Sequence, residues 1–486
     1  MLVSVHLDGQ IRYPGAGDHF SPDERFPEYG FDAVSASKNG VYRAVRACLA
    51  EAGLDAAHLG QERWNPLGGY IQPGDRVFVL CNFVKHNDLN RGEADFQAKC
   101  THGSVVRAVI DYVLAALNGK GEVSFGNAPL QSCDWSRVVE ETGAKSIHEF
   151  YLRQGSAWPK VHLRDLRQHV IRRSFLGAPR TCFHNEGGES VGIDLGRDSL
   201  LEPLYASPNG SEPRFRVLDY DPERTEQCHG RGRHLYLLSR AILQSNVVIS
   251  VPKLKTHEKV GITCALKGCV GTVAHKDCLA HHRYGPPSQS GDEYPDGLWF
   301  LHPLSALHEY ANRCPAGLPA RMARSVDYLS RKVVRRFTRA LGGAWPGNDT
   351  CWRMTLDLAR LLEYADEDGT VRETSQRKHL VFTDGIIAGE REGPLNPRAV
   401  SLGYLNFSDN PVAADYVNCL AMGFDPAKLP LVREALAISK HPLSNSRPEN
   451  WERRLNGQAV TLDQLRRAFT RPFTPCREWR SLLSSR

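Results

Sequence analysis

No pair among the thirteen cysteines stands in C-x-x-C spacing, so a ferredoxin-type cluster, a zinc ribbon and a thioredoxin motif have no local support. The odd count and irregular gaps also argue against a disulfide framework and suit reduced thiols in a cytoplasmic protein. No window holds eighteen uninterrupted apolar residues, so no span and no membrane partner are expected. The start, MLVSVHLDGQIRYPG, has neither a basic n-region nor an apolar h-region, so no secretory signal is expected. Excess charge is small too. Sixty-one basic against fifty-five acidic side chains leave +6 on 486 residues, too little to point to a nucleic-acid partner. The remainder, 41% hydrophobic with 42 Gly and 29 Pro, is ordinary globular composition, which excludes a disordered or collagen-like chain.

Periodicity predicts an α/β protein. Ser37-Lys-Asn39 followed by Val41, Val45, Cys48 and Leu49 reads as a helix ending at Gly53. Arg76 to Cys81 reads as a buried strand, Gly103 to Leu117 as a helix and Glu122 to Phe125 as a second strand, which together make a βαβ unit. Residues 155–230 are polar and turn-rich, with a strand expected at Arg214 to Leu218. Leu235 to Leu243 reads as a helix and Asn246 to Val251 as an apolar strand. Helical segments with a basic face (Arg321, Arg324, Arg331, Lys332, Arg335, Arg336, Arg339) follow, then a helix over Asp349 to Tyr364. Strands are expected at Leu380 to Thr383 and Val400 to Phe407, with a helix at Pro411 to Met422.

The expected fold is therefore a mainly parallel sheet with helices on both faces, an irregular insertion and a helical segment. The expected parts are an N-terminal α/β part (1–150), the insertion (151–245), a core α/β part (246–440) and a basic, solvated tail (441–486). The core part includes a His-rich loop and a helical insertion (296–366).

Candidate chemistry collects where these strands end. Asn82 follows the first strand, Asn127 the second, Lys253-Leu-Lys255-Thr-His257 the third and Asp384-Gly385 the fourth. In a parallel sheet such segments share the carboxyl edge, where ligands bind. An extended Lys253 to Lys259 stretch aligns Lys253, Lys255, His257 and Lys259 on one side, favouring an anion. Lys267 sits in a small apolar run, Gly261 to Gly271, where desolvation lowers an ammonium's pKa and makes it a usable base or clamp. Six of the nineteen histidines fall between His257 and His308, and His281 and His282 are the candidate metal ligands. No nucleotide fingerprint, nucleophile elbow or kinase signature is present.

Pro252-Lys-Leu-Lys-Thr-His257 with Ala265-Leu-Lys-Gly268 resembles the domain of unknown function 362 family. Pro73-Gly-Asp-Arg-Val77 with Asn82, Thr101-His102-Gly-Ser-Val-Val106 and Gly291-Asp-Glu-Tyr-Pro295 are similar to it as well. So are Gly347-Asn-Asp-Thr350 with Trp352-Arg353, Thr383-Asp-Gly-Ile386 with Gly393-Pro394, and Asp409-Asn-Pro-Val412 with Asp415 and Met422-Gly-Phe-Asp425. The resemblance runs from about residue 70 to 440 and implies no particular activity. Many members carry an appended iron–sulfur domain, from which this chain departs. A second resemblance, on His257 and Lys267 ten residues apart, is to lactate racemase and its relatives, which use a nickel-pincer nucleotide.

The expected function is that of a soluble cytoplasmic enzyme performing Lys/His acid–base chemistry on a small carboxylate- or phosphate-bearing metabolite. His257 and Lys267 would be catalytic, while Asn82, Asn127, Lys253, Lys255 and Asp384 would bind or orient the anion. The alternatives are a ligand-binding accessory protein without turnover and a nickel-pincer racemase-like enzyme. No cofactor is assigned.

Overall fold

The computed structural model describes residues 1–88, 92–155, 158–173, 179–184, 188–206, 211–217, 220–314 and 317–483. Eleven strands form one sheet: β1 (Leu2–Leu7), β2 (Arg76–Cys81), β3 (Glu122–Asn127), β4 (Lys160–Asp165), β5 (Val247–Val251), β6 (Lys253–His257), β7 (Gly261–Ile262), β8 (Lys378–Glu392), β9 (Asn396–Ser408), β10 (Glu452–Leu455) and β11 (Gln458–Ala459). Their order is β11-β10-β1-β9-β8-β5-β2-β3-β4, and β6 pairs with β8 and β7. Strands β8, β5, β2, β3 and β4 run parallel, whereas β9 is antiparallel to both β8 and β1. The helices that matter below are α1 (Gly40–Glu51), α2 (Gly103–Leu117), α3 (Cys264–Gly268), α4 (His302–Arg313), α5 (Leu318–Val334), α6 (Cys351–Tyr364) and α7 (Pro411–Ala421).

The central strands are apolar on both sides because both faces are covered. Along β2, Val77, Val79 and Cys81 pack with Val45 and Leu49 of α1 and Val105 and Val109 of α2. Phe78 and Leu80 enter the opposite core with Leu358 and Leu362 of α6. Such a strand reads as a continuous apolar run, as parallel strands between helix layers do. Asn39 starts α1 by accepting from the Tyr42 amide, which ends the preceding loop where the capping residue predicts.

Four expectations are corrected. Leu235 to Leu243 is a strand, Arg233–Ser239, followed by one helical turn, Arg240–Leu243. His234, Tyr236 and Leu238 are buried in alternation while the strand pairs with Ser190–Asp194, so period two decides a segment whose unbroken apolarity hides it. The strand at Leu380 extends to Glu392, so Asp384 lies inside it. The strand expected at Arg214 to Leu218 is only Phe215–Arg216, and Leu218 lies outside the described residues. The tail is folded: β10 adds to β1 in parallel, and Trp451, Leu465, Phe473, Cys476 and Trp479 join the core that holds Val3 and Val5. Nine arginines disguise it, because the buried residues are widely spaced.

All thirteen cysteines are free. No described helix is long and apolar enough to cross a membrane.

Trp479 is 1% exposed, and its indole N–H donates to the Glu258 carbonyl at 2.7 Å. Trp479→Ala therefore costs about 3–5 kcal/mol in denaturant unfolding. An unchanged midpoint would contradict a docked tail.

Candidate functional site

Strand β5 stops at Pro252 and the chain resumes as β6 along the outer half of β8, with Lys253 opposite Asp384 and Lys255 opposite Gly389. Alternation puts Lys253, Lys255 and His257 on one side. Lys253 donates to Asp384 Oδ2 at 2.6 Å and to the Tyr13 hydroxyl at 2.7 Å. Tyr13 in turn donates to Asp384 Oδ1 at 2.5 Å, and the His102 amide donates to Oδ2 at 3.0 Å. The Tyr13 ring stacks on His102 with centroids 4.0 Å apart. Both charged side chains are fully buried, so this pair is spent on each other and on the loop that carries Tyr13. Burial lowers the Lys253 ammonium below the usual lysine range and the Asp384 carboxylate opposes that.

Lys255 has no such carboxylate. Its ammonium donates to Asn82 Oδ1 at 2.6 Å and to the Lys99 carbonyl. Burial, reinforced by Lys253 and Lys99, brings it down to about 7. Asn82 is fixed at the end of β2 by its amide, which donates to Thr101 Oγ1 at 2.9 Å. Asn127, at the end of β3, donates to the Phe83 carbonyl at 3.1 Å, while its Oδ1 is buried without a partner.

The turn after β6 brings Lys267 to the same edge. Gly261 has φ +84°, and a Cβ there would meet Leu429 at 2.2 Å, so only glycine fits. Asp415 of α7 accepts from the Ala265 and Leu266 amides, both at 2.8 Å, and so anchors α3. The Gly271 carbonyl accepts from the Ala128 amide at 2.7 Å, tying this turn to the end of β3.

Burial lowers the Lys267 ammonium, and Lys259 lowers it further. His257 Nδ1 accepts from the Lys259 amide at 3.0 Å. Burial holds the His257 imidazole well below its usual range, with Lys267, Lys259 and Lys255 adding to the effect. His281 is depressed by burial and then by Lys267, Lys259, His257 and His282. Lys276 follows the same pattern beside Lys267 and Arg167, donating to the Val270 carbonyl at 2.5 Å. The charges that depress His257 and His281 are those of lysines and histidines, while Lys259 also acts on the buried Glu258 carboxyl. Thr263 Oγ1 and the Nδ1 atoms of His281 and His282 are buried and unpartnered.

Exposure grades along the edge. Lys253 and Lys255 are at 0%, whereas His257 and Lys267 are at 6% and Lys259 at 7%, so solvent reaches the cluster from the Lys267 end. The structure thus brings Lys255 to Asn82 and His257 to Lys267, and commits Lys253 to Asp384. Tyr13, Lys276 and Cys351 were not singled out by the sequence. Cys351, the first residue of α6, is buried with Lys267 and Lys259 acting on its thiol. Only tertiary contact reveals it, 84 positions beyond Lys267. Among the described residues, no group of three or more His, Cys, Asp and Glu is arranged to hold a metal ion, His281 and His282 included. A cavity of about 710 Å³ lies elsewhere, lined by Tyr29, Trp64, Tyr112 and Trp158 among others, and contains none of these groups.

Residues 209–419 match the model of a family described as Domain of unknown function (DUF362). No curated protein and no solved structure matches the chain. The likeness to lactate racemase has no support beyond the spacing of two residues.

Asp384→Asn strands a buried ammonium and costs about 3–5 kcal/mol, whereas Asp384→Asn combined with Lys253→Met recovers most of that loss. Denaturant unfolding checks both. A double variant no better than the single would show that the pair is not a unit.

Proposed function

We propose that this chain, which carries a DUF362 domain over residues 209–419, binds a small carboxylate- or phosphate-bearing metabolite at its cationic edge and performs Lys/His acid–base chemistry on it. The observation that carries this reading is the set formed by Lys255, His257, Lys259, Lys267 and His281. These groups are buried, and the charges that depress His257 and His281 come from neighbouring lysines and histidines. Burying several basic groups close together is costly, and an anionic ligand relieves that cost.

The residues divide the work by their surroundings. Lys267 and Lys259 lie at the solvent-reached end and receive the anion. His257 is kept neutral near pH 7, so its imidazole is free to take a proton from the bound molecule and return it. Lys255, held by Asn82, adds a charge that responds to the ligand, and Asn127 Oδ1 and Thr263 Oγ1 supply unfilled hydrogen-bonding positions. Lys253 and Asp384 act as positioning residues that fix β6 against β8. The free cysteines favour a reducing, cytoplasmic setting.

Two measurements test the reading, with sulfate as a probe that does not titrate near neutrality. In Lys267→Met the fold survives with an unchanged or raised thermal midpoint, because a buried charge is removed, while the stabilisation that sulfate gives the parent protein disappears. Full retention of that stabilisation would remove Lys267 from the site.

The second measurement is pH dependence. Lys255 titrates near 7 without ligand, and a bound anion favours its protonated form. Below pH 7 the ammonium is already charged; above it a proton must be taken up on binding. Sulfate affinity therefore falls as pH rises through about 7, with proton uptake visible in calorimetry across buffers of different ionisation enthalpy. A flat profile would count against Lys255 as a ligand-linked group.

A further inference from the structure

Helix α5 carries an apolar stripe that none of the described residues covers. Leu318, Met322, Val326, Leu329 and Val333 are 69, 63, 52, 60 and 57% exposed, and Phe337, just past the helix, is 71% exposed. Their spacing of three and four residues places the helical members on one face of about 25 Å length. The opposite side, with Ala320, Ala323 and Asp327, is the one that is buried. Scattered single exposed apolar residues need no explanation, but a continuous row of large ones does.

The charges beside the stripe have one sign. Asp327 is the only acid between residues 318 and 339, and it is 4% exposed, paired with His308 at 3.0 Å and Arg331 at 2.9 Å. Lys332, Arg335 and Arg336 are exposed, and no ion pair engages them among the described residues. A second copy of this face would bring those cations against their own kind with no acid to answer them.

A convex apolar stripe flanked by lysine and arginine fits a layer that is apolar below and negative above. We infer that α5 docks the protein on the surface of an anionic lipid bilayer, with the stripe entering the headgroup–acyl boundary and Lys332, Arg335 and Arg336 meeting lipid phosphates. The inference does not rest on the acid–base reading. It departs from the absence of a membrane partner expected from the sequence, because a search for long apolar runs cannot register a stripe of period 3.6. Docking would leave the cationic edge close to the lipid surface, since the segment leaving the stripe supplies Gly342, whose carbonyl accepts from Lys259.

The test is co-sedimentation of the full chain with vesicles of phosphatidylcholine alone and of phosphatidylcholine with phosphatidylglycerol. Binding is expected to the anionic vesicles only, weakening as salt is added. Leu329→Asp, at an exposed position and with thermal midpoint as the folding control, should lower the partition coefficient at least tenfold. Lys332→Gln, Arg335→Gln and Arg336→Gln should each lower it about fivefold. Absence of binding, binding indifferent to lipid charge, or a dimer in sedimentation velocity that Leu329→Asp dissociates would each overturn the inference.

Discussion

A lysine and an aspartate with no exposed side-chain surface hold the carboxyl edge of this sheet together. Lys253 and Asp384 belong to neighbouring parallel strands, and each would be costly to bury alone. Tyr13 fills the remaining positions on both, and the His102 amide completes the Asp384 carboxylate. One ion pair thereby fixes the register of β6 on β8, the N-terminal loop and the start of α2. The rest of the edge depends on that register, because it decides that Lys255 meets Asn82 and that His257 comes forward to Lys267.

From Lys253 outward the electrostatic character changes over a few residues. Lys253 is compensated by Asp384, Lys255 is held by neutral oxygens, and Lys267 is acted on by the Cys351 and Cys269 thiols and by Lys259. Burial lowers the proton affinity of all three ammoniums, and at Lys253 the Asp384 carboxylate opposes it. The residues that match the DUF362 family model supply β5, β6, α3 and β8 to this edge.

The segment between the two halves of the site is organised differently. Helices α4 and α5 pack on each other, and the chain that leaves α5 returns to the cluster through Gly342. Its outer face gains nothing from the fold, since its large apolar groups remain in water. A stable core explains the inner face, with Asp327 held by Arg331 and His308, and leaves the outer one to interactions beyond the chain.

Residue order alone determined the elements whose two faces differ in a simple period: β2, α2, β5 and α7 lie within a residue or two of where apolar spacing and capping residues put them. It also placed Asn82 and Asn127 at the ends of β2 and β3, because strand boundaries are local, whereas Lys253, Lys255 and His257 lie within a strand of their own, β6. Tertiary structure decided what local pattern cannot express. Tyr236 and Leu238 form a strand because Val191 and Ile193 lie beside them, and the arginine-rich tail folds because β1 offers it an edge. Asp384 lies inside β8 as a partner of Lys253 rather than beyond the strand's end, and Tyr13 and Cys351 come to the site from distant parts of the chain. Burial and partner identity depend on which segments meet in space, and these two quantities set whether a given lysine is paired with a carboxylate or held by neutral oxygens.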